Sequence, residues 1–324
     1  MVAAVRVHSY GGPEVLTLED VTLPPPGPGE VRVRQTAIGV NYIDTYFRSG
    51  LYKAPSLPFI AGNEAAGEVT AVGEGVTALR PGDRVAYVAA LGCYAAERNV
   101  PVAVAVKLPD NVSDEIAAAI MLKGMTSEYL LHRTYKVKAG DTILMHAAAG
   151  GVGQILCQWA KQLGATVIGT VGSEEKAELA RANGCDHVIL YRQEDFVAKV
   201  KEITGGRGCE VVYDGIGKAT FPASLDCLKP LGLLASFGSA SGPVDQFDLG
   251  LLAPRGSLYV TRPTLNTFTN RRDWLDEMTA NLFAVVGSGK VTIAINHRAK
   301  LSDAADVHRA LEGRETTGAI VLTP

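Results

Sequence analysis

The stretch His146-Ala-Ala-Ala-Gly-Gly-Val-Gly153 has the residue types and spacing to hold a phosphorylated ligand. Laid on the pattern G-x-G-x-x-G, it puts Ala148, Gly150 and Gly153 at the three glycine positions, so the first glycine is replaced. The second position lets backbone N–H groups approach a pyrophosphate, and the third lets a helix pack tightly on a sheet. The helix N-terminus adds partial positive charge. A NAD enzyme then needs Asp or Glu on the adenosine ribose, at the tip of the second strand. This chain has Gly172 and Ser173 there, with Lys176 three residues later. A lysine in the first turn of a helix opposes the helix dipole unless an anion lies beside it. Two readings fit: Glu174 and Glu175 neutralise Lys176 on a solvated face, or Ser173 and Lys176, with Tyr191 from the third strand, hold a 2′-phosphate. The second reading predicts NADPH rather than NADH.

Asn41 and Asp44, three residues apart near the end of a strand-like run, form a second polar pair. They read either as a helix cap or Asx-turn or as residues of a site. Tyr46 and Tyr52 follow, as packing residues or as proton donors. Lys123, between Met121 and Met125, reads either as a side chain snorkelling at a helix end or as part of a packed boundary between domains.

Positioning these groups takes two kinds of element. The first hundred residues carry short alternating runs at 31–33, 68–72, 84–88 and 103–107, broken by Gly and Pro, the pattern of a β-rich module with tight turns. The proline-rich run at 23–30 lies between strands and reads as a rigid turn. A helix is expected over 113–132. From Asp141 onward strands alternate with helices, with strands expected at 142–147, 166–171, 187–190, 210–213, 231–237 and 257–260. That rhythm predicts a doubly wound parallel sheet. Its first helix is marked by Val152, Ile155, Leu156, Trp159, Ala160 and Leu163 on one stripe. Beyond Pro263 the rhythm breaks into a helix with Trp274, Met278, Leu282, Val285 and Val286 on one face, a strand at 291–295, a helix over 302–311 and a last strand at 318–322. This tail is too small to stand alone. The expected division is therefore residues 1–122 with 263–324 as one discontinuous domain and residues 123–262 as the other.

Composition narrows the class. The 324 residues hold 31 Lys and Arg against 34 Asp and Glu, a net charge of −3, which argues against an obligate nucleic-acid or polybasic membrane binder. No apolar run approaches the roughly 20 residues of a membrane span, and the N-terminus alternates like a strand rather than like a signal peptide. Five scattered cysteines without a C-x-x-C pair fit a reducing, cytoplasmic setting. The six histidines form no ligand-spaced pair, so no metal is expected.

Ile38-Gly-Val-Asn-Tyr-Ile-Asp-Thr-Tyr46, Phe59-Ile-Ala-Gly-Asn-Glu-Ala-Ala-Gly67 and the run from Gly75 to Val85 resemble the medium-chain dehydrogenase/reductase superfamily. Within it the run from Gly140 to Lys161 is similar to the zinc-independent quinone oxidoreductase/zeta-crystallin family. The resemblance spans essentially the whole chain. It implies a GroES-like β-rich catalytic domain with a Rossmann domain, an α/β fold. The zinc-dependent relatives carry Cys where Asn41 stands and His where Asn63 stands, so a metal-free hydride transfer is implied. The resemblance implies that Asn41, Tyr42, Ile43, Asp44, Thr45, Tyr46 and Tyr52 line the cleft beside a nicotinamide, with Thr126 and Tyr129 on the adjoining helix. It also implies that Gly151 and Val152 meet the pyrophosphate and that Ile216, Gly238, Ser239, Ala240 and Ser241 follow the cofactor. Thr264, Leu265 and Arg314 are expected from the returning tail. The implied activity is NADPH-dependent quinone reduction, with enal or enone reduction as the alternative and a crystallin-like or RNA-binding role as a further one. A homodimer is implied as well, with the strand at 257–260 as a candidate edge.

Overall fold

In the computed structural model, which describes residues 1–89, 91–313 and 315–324, alternating side chains set the strands of the front module. These are β1 (Val2–Val7), β2 (Leu16–Val21), β3 (Glu30–Val40), β4 (Phe59–Ile60), β5 (Glu64–Val72), β6 (Arg84–Val88), β7 (Glu97–Pro101) and β8 (Val106–Lys107), with helix α1 (Tyr42–Ser49) after β3. Val31, Val33, Gln35 and Ala37 of β3 point inward, and residues 38–40 are buried on both faces. There β3 runs antiparallel to β5, with Gly39 opposite Glu64. The run at 103–107 is a strand only at its end. The carbonyls of Val102, Ala103 and Ala105 accept from the Arg272 guanidinium (2.9, 3.4 and 3.0 Å), so this backbone is satisfied without a ladder.

Helix α2 (Asp114–Tyr129) leads into the alternating region. Strands β9 (Thr142–His146), β10 (Thr166–Val171), β11 (His187–Leu190), β12 (Cys209–Asp214), β13 (Leu228–Ser236) and β14 (Tyr259–Thr261) form one parallel sheet in the order β11-β10-β9-β12-β13-β14. Helices α3 (Gly151–Gln162), α4 (Glu174–Ala182) and α5 (Phe196–Ile203) make crossovers. This is the doubly wound sheet that the rhythm predicts, and the strand order reverses between β9 and β12, where such sheets bind ligands.

After Pro263 come α6 (Leu265–Thr269), α7 (Arg272–Gly287), β15 (Ile295–Lys300), α8 (Ala304–Glu312) and β16 (Ala319–Thr323). On α7 the buried face is Leu275, Met278, Thr279, Leu282 and Phe283, so Trp274 lies off it, stacked under the Arg271 guanidinium at 4.2 Å. The strand expected at 291–295 begins where that range ends. Thr292 exchanges both backbone hydrogen bonds with the Gln158 side chain (2.9 and 3.0 Å), which removes it from any ladder. The polar sequence of β15 hides a strand that pairs in parallel with β16, itself antiparallel to β3.

By contacts the chain divides into Met1–Met125 with Thr269–Gly287 and Ile293–Pro324, and Thr126–Phe268 with Ser288–Thr292. Phe268 stacks on Tyr129 with centroids 4.5 Å apart, and Gln158 holds Thr292, which ties those segments to the second unit. No helix among the described residues is long and apolar enough to cross a membrane.

The replaced first glycine of the cofactor loop has a structural answer. Ala148 is fully buried, and a Cβ added at Gly169 on β10 falls 2.7 Å from the Ala148 Cβ and 2.7 Å from the Cys185 Sγ. The space that Ala148 takes is space that Gly169 gives up. Gly169→Ala is expected to destabilise the protein by about 1–3 kcal/mol through overpacking, with Ala148→Gly in the same chain recovering part of the loss. Urea unfolding of the single and double variants checks this, and additive losses would disprove the exchange of space.

Candidate functional site

The second unit brings its predicted residues to the carboxyl ends of its strands. At the end of β9, Ala147 holds φ +55, a left-handed turn unusual outside glycine, and Gly150 then caps α3. A Cβ on Gly153 would lie 2.5 Å from the carbonyl oxygens of Ala147 and Ala148, so only glycine lets the helix start this close to the turn. The N–H groups of Gly151 and Val152 belong to the first turn of α3, where helix geometry leaves donors without intrahelical partners. At the end of β10, the Ser173 side chain caps α4 by accepting from the Lys176 N–H at 3.4 Å. The Tyr191 hydroxyl lies 3.0 Å, and the Arg192 Nε 3.4 Å, from where a Gly172 Cβ would stand. Glu174 pairs with Arg181 at 3.0 Å.

At the end of β12, Asp214 organises the neighbouring loop. Its Oδ1 accepts from the Ile216 and Gly217 N–H groups (2.8 and 3.1 Å), and its Oδ2 from the Thr220 and Ser224 hydroxyls (2.6 and 3.2 Å). The Ser224 Oγ also meets His146 Nε2 at 3.0 Å, and His146 Nδ1 meets the Thr170 Oγ1 at 2.9 Å. Serine, histidine and aspartate adjoin here, but all three are buried to within 1% exposure, and burial pushes the imidazole pKa down. The array is a brace across β9, β10 and β12. Ala240 and Ser241 donate their N–H groups to Gly215 and Ile216, and the Ser241 Oγ donates to the Ile216 carbonyl at 2.8 Å. Gly238 packs so closely on Gly215 that a Cβ would reach its carbonyl oxygen at 2.4 Å. Arg262 fastens the same loop through the carbonyls of Ser236 and Gly238 and the hydroxyl of Ser239. Thr126 and Tyr129 fall on the last turns of α2, and Thr264, with its hydroxyl 3.2 Å from that of Thr267, and Leu265 belong to this unit rather than to the returning tail. Arg314 lies outside the described residues.

The first unit gathers the others around α1. Asn41 precedes the helix, and Asp44 reaches back to its N–H at 2.8 Å, half of a capping box. The cap reading therefore holds for Asp44, while the Asn41 side chain turns elsewhere, donating to Glu64 Oε1 at 2.6 Å. Glu64 is fully buried and also accepts from Lys123 Nζ (3.1 Å) and the Leu122 N–H (2.6 Å), and Lys123 donates to the Val40 carbonyl. Lys123 does not snorkel; it is a buried partner of a buried carboxylate. Asn63 donates to the Ala89 carbonyl at 3.0 Å. Thr45 donates to the Tyr42 carbonyl at 2.7 Å, and Ile43 is half-buried on the first turn. Tyr42, Tyr46 and Tyr52 form an edge-to-face series with centroids 5.6 and 5.2 Å apart. Among the described residues no group of three or more His, Cys, Asp or Glu is placed to hold a metal ion.

A hydrogen-bonded chain of side chains behind Asp44 escaped the sequence reading. The Tyr94 hydroxyl donates to Asp44 Oδ2 at 3.0 Å and meets His308 Nε2 at 3.0 Å; His308 Nδ1 meets Arg48 Nη1 at 3.3 Å. Arg48 in turn makes a two-pronged pair with Glu312 (2.9 and 2.7 Å). Burial pushes the Asp44 carboxyl up to about 7 against the hydrogen bonds from Asn41 and Tyr94. Burial, then the Arg48 charge, pushes His308 down to about 3. The one sequence signal was Glu64, a lone charge within an apolar, glycine-rich run; Tyr94 and His308 carry none, because 214 residues separate them.

Residues 27–141 match the alcohol dehydrogenase GroES-like domain, and residues 151–282 match the zinc-binding dehydrogenase family. Over its full length the chain is 52% identical to a quinone oxidoreductase of Pseudomonas aeruginosa, all of which it covers. It is 48% identical to a 2-haloacrylate reductase of a Burkholderia species, over 100% of this chain and 99% of that one. A crystal structure of the Escherichia coli quinone oxidoreductase complexed with NADPH superposes with a TM-score of 0.97 at 48% identity, over 99% of this chain and all of that one. The fold is thus a GroES-like domain with a Rossmann domain.

The two shifted groups give opposite pH signatures. The folded state keeps His308 neutral while the unfolded chain protonates it near 6.5, so this group costs stability as pH falls from about 6.5 toward 3. Asp44 keeps its proton up to about 7 when folded and loses it at 3.8 when unfolded, so its contribution is lost as pH rises from about 4 to 7. Relative to wild type, His308→Asn is expected to gain melting temperature as pH is lowered from 6.5 to 4, and Asp44→Asn to lose it. Melting curves at several pH values check this; parallel pH dependence in the three proteins would refute it.

Proposed function

The chain belongs to the quinone oxidoreductase family of the medium-chain dehydrogenase/reductases, and from that premise we propose that it reduces quinones with NADPH by direct hydride transfer. The observation that carries this is identity of about one half, over the full length, to relatives of that name. In this reading residues 123–262 bind the cofactor, and residues 1–122 with 263–324 bear the acceptor, with Thr264, Leu265 and Arg314 adding to the cofactor's contacts.

The fit to a dinucleotide rests on the α3 N-terminus, where Gly153 permits close backbone packing, and on the Gly172 cradle beside Ser173, Lys176 and Tyr191. Among the described residues, Val171, Gly172 and Ser173 at the tip of β10 offer no carboxylate for a ribose hydroxyl. NADPH, when bound, supplies the hydride. The protein's own work is positioning: α3 donors hold the diphosphate, Ser173, Lys176 and Tyr191 take the 2′-phosphate, and the Asp214 and Arg262 hydrogen bonds keep residues 215–217 and 236–241 in place. Tyr42, Tyr46 and Tyr52 offer aromatic edges and hydroxyls to a planar acceptor, with Asn41 and Asp44 beside them in sequence.

Reduction of an activated carbon–carbon double bond is the second reading, supported by the similarity to 2-haloacrylate reductase. The chain acts as a homodimer in the cytoplasm, a reading supported by the exposed edge strand β14 and by five free cysteines suited to a reducing compartment. The net charge of −3 speaks against a nucleic-acid partner.

Oxidation of NADPH by a simple benzoquinone, compared with an alkenal and a haloacrylate, separates the two readings; turnover of none of them overturns both. Lys176→Ala is expected to cut kcat/KM for NADPH by about 10- to 100-fold, the worth of one charge-assisted hydrogen bond, with little change for NADH. An unaltered NADPH to NADH ratio would reject the 2′-phosphate assignment.

A further inference from the structure

A second cation besides Lys176 stands at the tip of β10. Strand β11 ends at Leu190, and the backbone turns sharply there. The N–H groups of Gln193 and Glu194 both donate to the Leu190 carbonyl (2.8 and 3.0 Å), and Glu194 Oε2 accepts from the Leu190 N–H at 2.8 Å. The Tyr191 N–H donates to the Val171 carbonyl at 3.2 Å, which sets this turn beside the end of β10. Two consecutive side chains then converge on one point. Measured from where a Gly172 Cβ would stand, the Tyr191 hydroxyl is 3.0 Å away and the Arg192 Nε 3.4 Å. A side chain at 172 would press on both groups, and glycine leaves that space open.

Arg192 is exposed, and the acids close to it in sequence are engaged elsewhere. Glu194 takes the Leu190 N–H and lies 3.8 Å from Lys199, while Asp195 caps α5 by accepting from the Val197 and Ala198 N–H groups (2.9 and 3.3 Å). Glu174, at the start of α4, pairs with Arg181. Among the described residues no carboxylate is paired with Arg192.

A phosphate monoester has its second pKa near 6 and carries nearly two negative charges at neutral pH. Lys176 supplies one positive charge, in a helix turn that also holds Glu174 and Glu175. One ammonium leaves such a dianion half neutralised. A guanidinium suits the remainder, because its planar fork meets two phosphate oxygens at once and it is weakly hydrated. A ribose without the phosphate offers it no charge to bind.

We propose that Arg192 is a specificity-determining residue for the cofactor, the second cation on the 2′-phosphate, acting with Ser173, Lys176 and Tyr191. This rests on the NADPH reading. The turn at 190–194 aims the guanidinium, and Gly172 keeps the space before it open.

Calorimetric titration of the cofactor-free protein with adenosine 2′,5′-bisphosphate and with adenosine 5′-monophosphate reads the 2′-phosphate alone, apart from any hydride chemistry. Wild type is expected to prefer the bisphosphate, and the preference is expected to grow as pH rises from about 5 to about 7.5, where the 2′-phosphate takes its second charge. Arg192→Gln is expected to cut the ratio of the two affinities about tenfold and to flatten its pH dependence. Arg192→Lys keeps the charge but not the fork, and its ratio is expected to fall between the two. An unchanged ratio in Arg192→Gln, or equal weakening of both ligands, overturns the proposal and leaves the 2′-phosphate reading to stand on Lys176. Wild-type protein that binds the two ligands equally well overturns both.

Discussion

The first unit is organised around one buried charge. Glu64 is fully buried, and a carboxylate in that position is tolerable only if its oxygens are met by donors of the right number and direction. They are met by the Lys123 ammonium, the Asn41 amide and the Leu122 N–H, which draw α2, β5 and the end of β3 together. Gly39 follows from the same demand. A Cβ there would lie 2.1 Å from the Ala118 carbonyl oxygen and 2.4 Å from Glu64 Oε1, so any larger residue would push α2 away from the carboxylate. Once Asn41 is turned toward Glu64, the start of α1 is left for Asp44 to cap, and Asp44 is thereby drawn inside.

The second unit solves a different problem, that of holding loops at strand ends without burying charge near a polyanion. Its loops are closed mainly by backbone and neutral side chains: Ser173 on α4, Ser241 across residues 216–219, and the close glycine pair Gly215 and Gly238. Ionisable side chains join them: Asp214 accepts from N–H and O–H groups, Glu194 accepts from the Leu190 N–H at the end of β11, Asp195 caps α5, and Arg262 donates to the loop at 236–239. The α3 N-terminus, by contrast, starts at Gly150 with no side-chain cap and keeps its positive end open to a ligand.

Elements that repeat a local rule were legible in the sequence. The α3 stripe, the strands at 166–171 and 187–190 and the doubly wound parallel sheet all follow from periodicity and from the short crossovers of α/β folds. The strand at 295–300 was not legible, because alternation of Asn, Arg and Lys with Ile, His and Ala carries little apolar signal, while Val291, which does, is held with Thr292 beside Gln158. The site divided along the same line. Glycines and serines at loop positions announced themselves through spacing. Tyr94, His308, Arg48 and Glu312 meet only after the tail has returned to β3, and no local pattern records a contact across more than two hundred residues.

The two halves of the buried cluster also explain each other's ionisation. Glu64 and Lys123 together carry no net charge, so the pair can sit in an apolar interior at a cost set by geometry alone. A second carboxylate beside them, ionised, would give the group a net negative charge, and Lys123 donates to Glu64 and to the Val40 carbonyl. Arg48 is turned to Glu312 and is linked to Asp44 through a neutral histidine and a phenol. Charge neutrality therefore falls on Asp44, whose cheapest state is the protonated one. Within the cluster a lysine covers one acid and a proton covers the other.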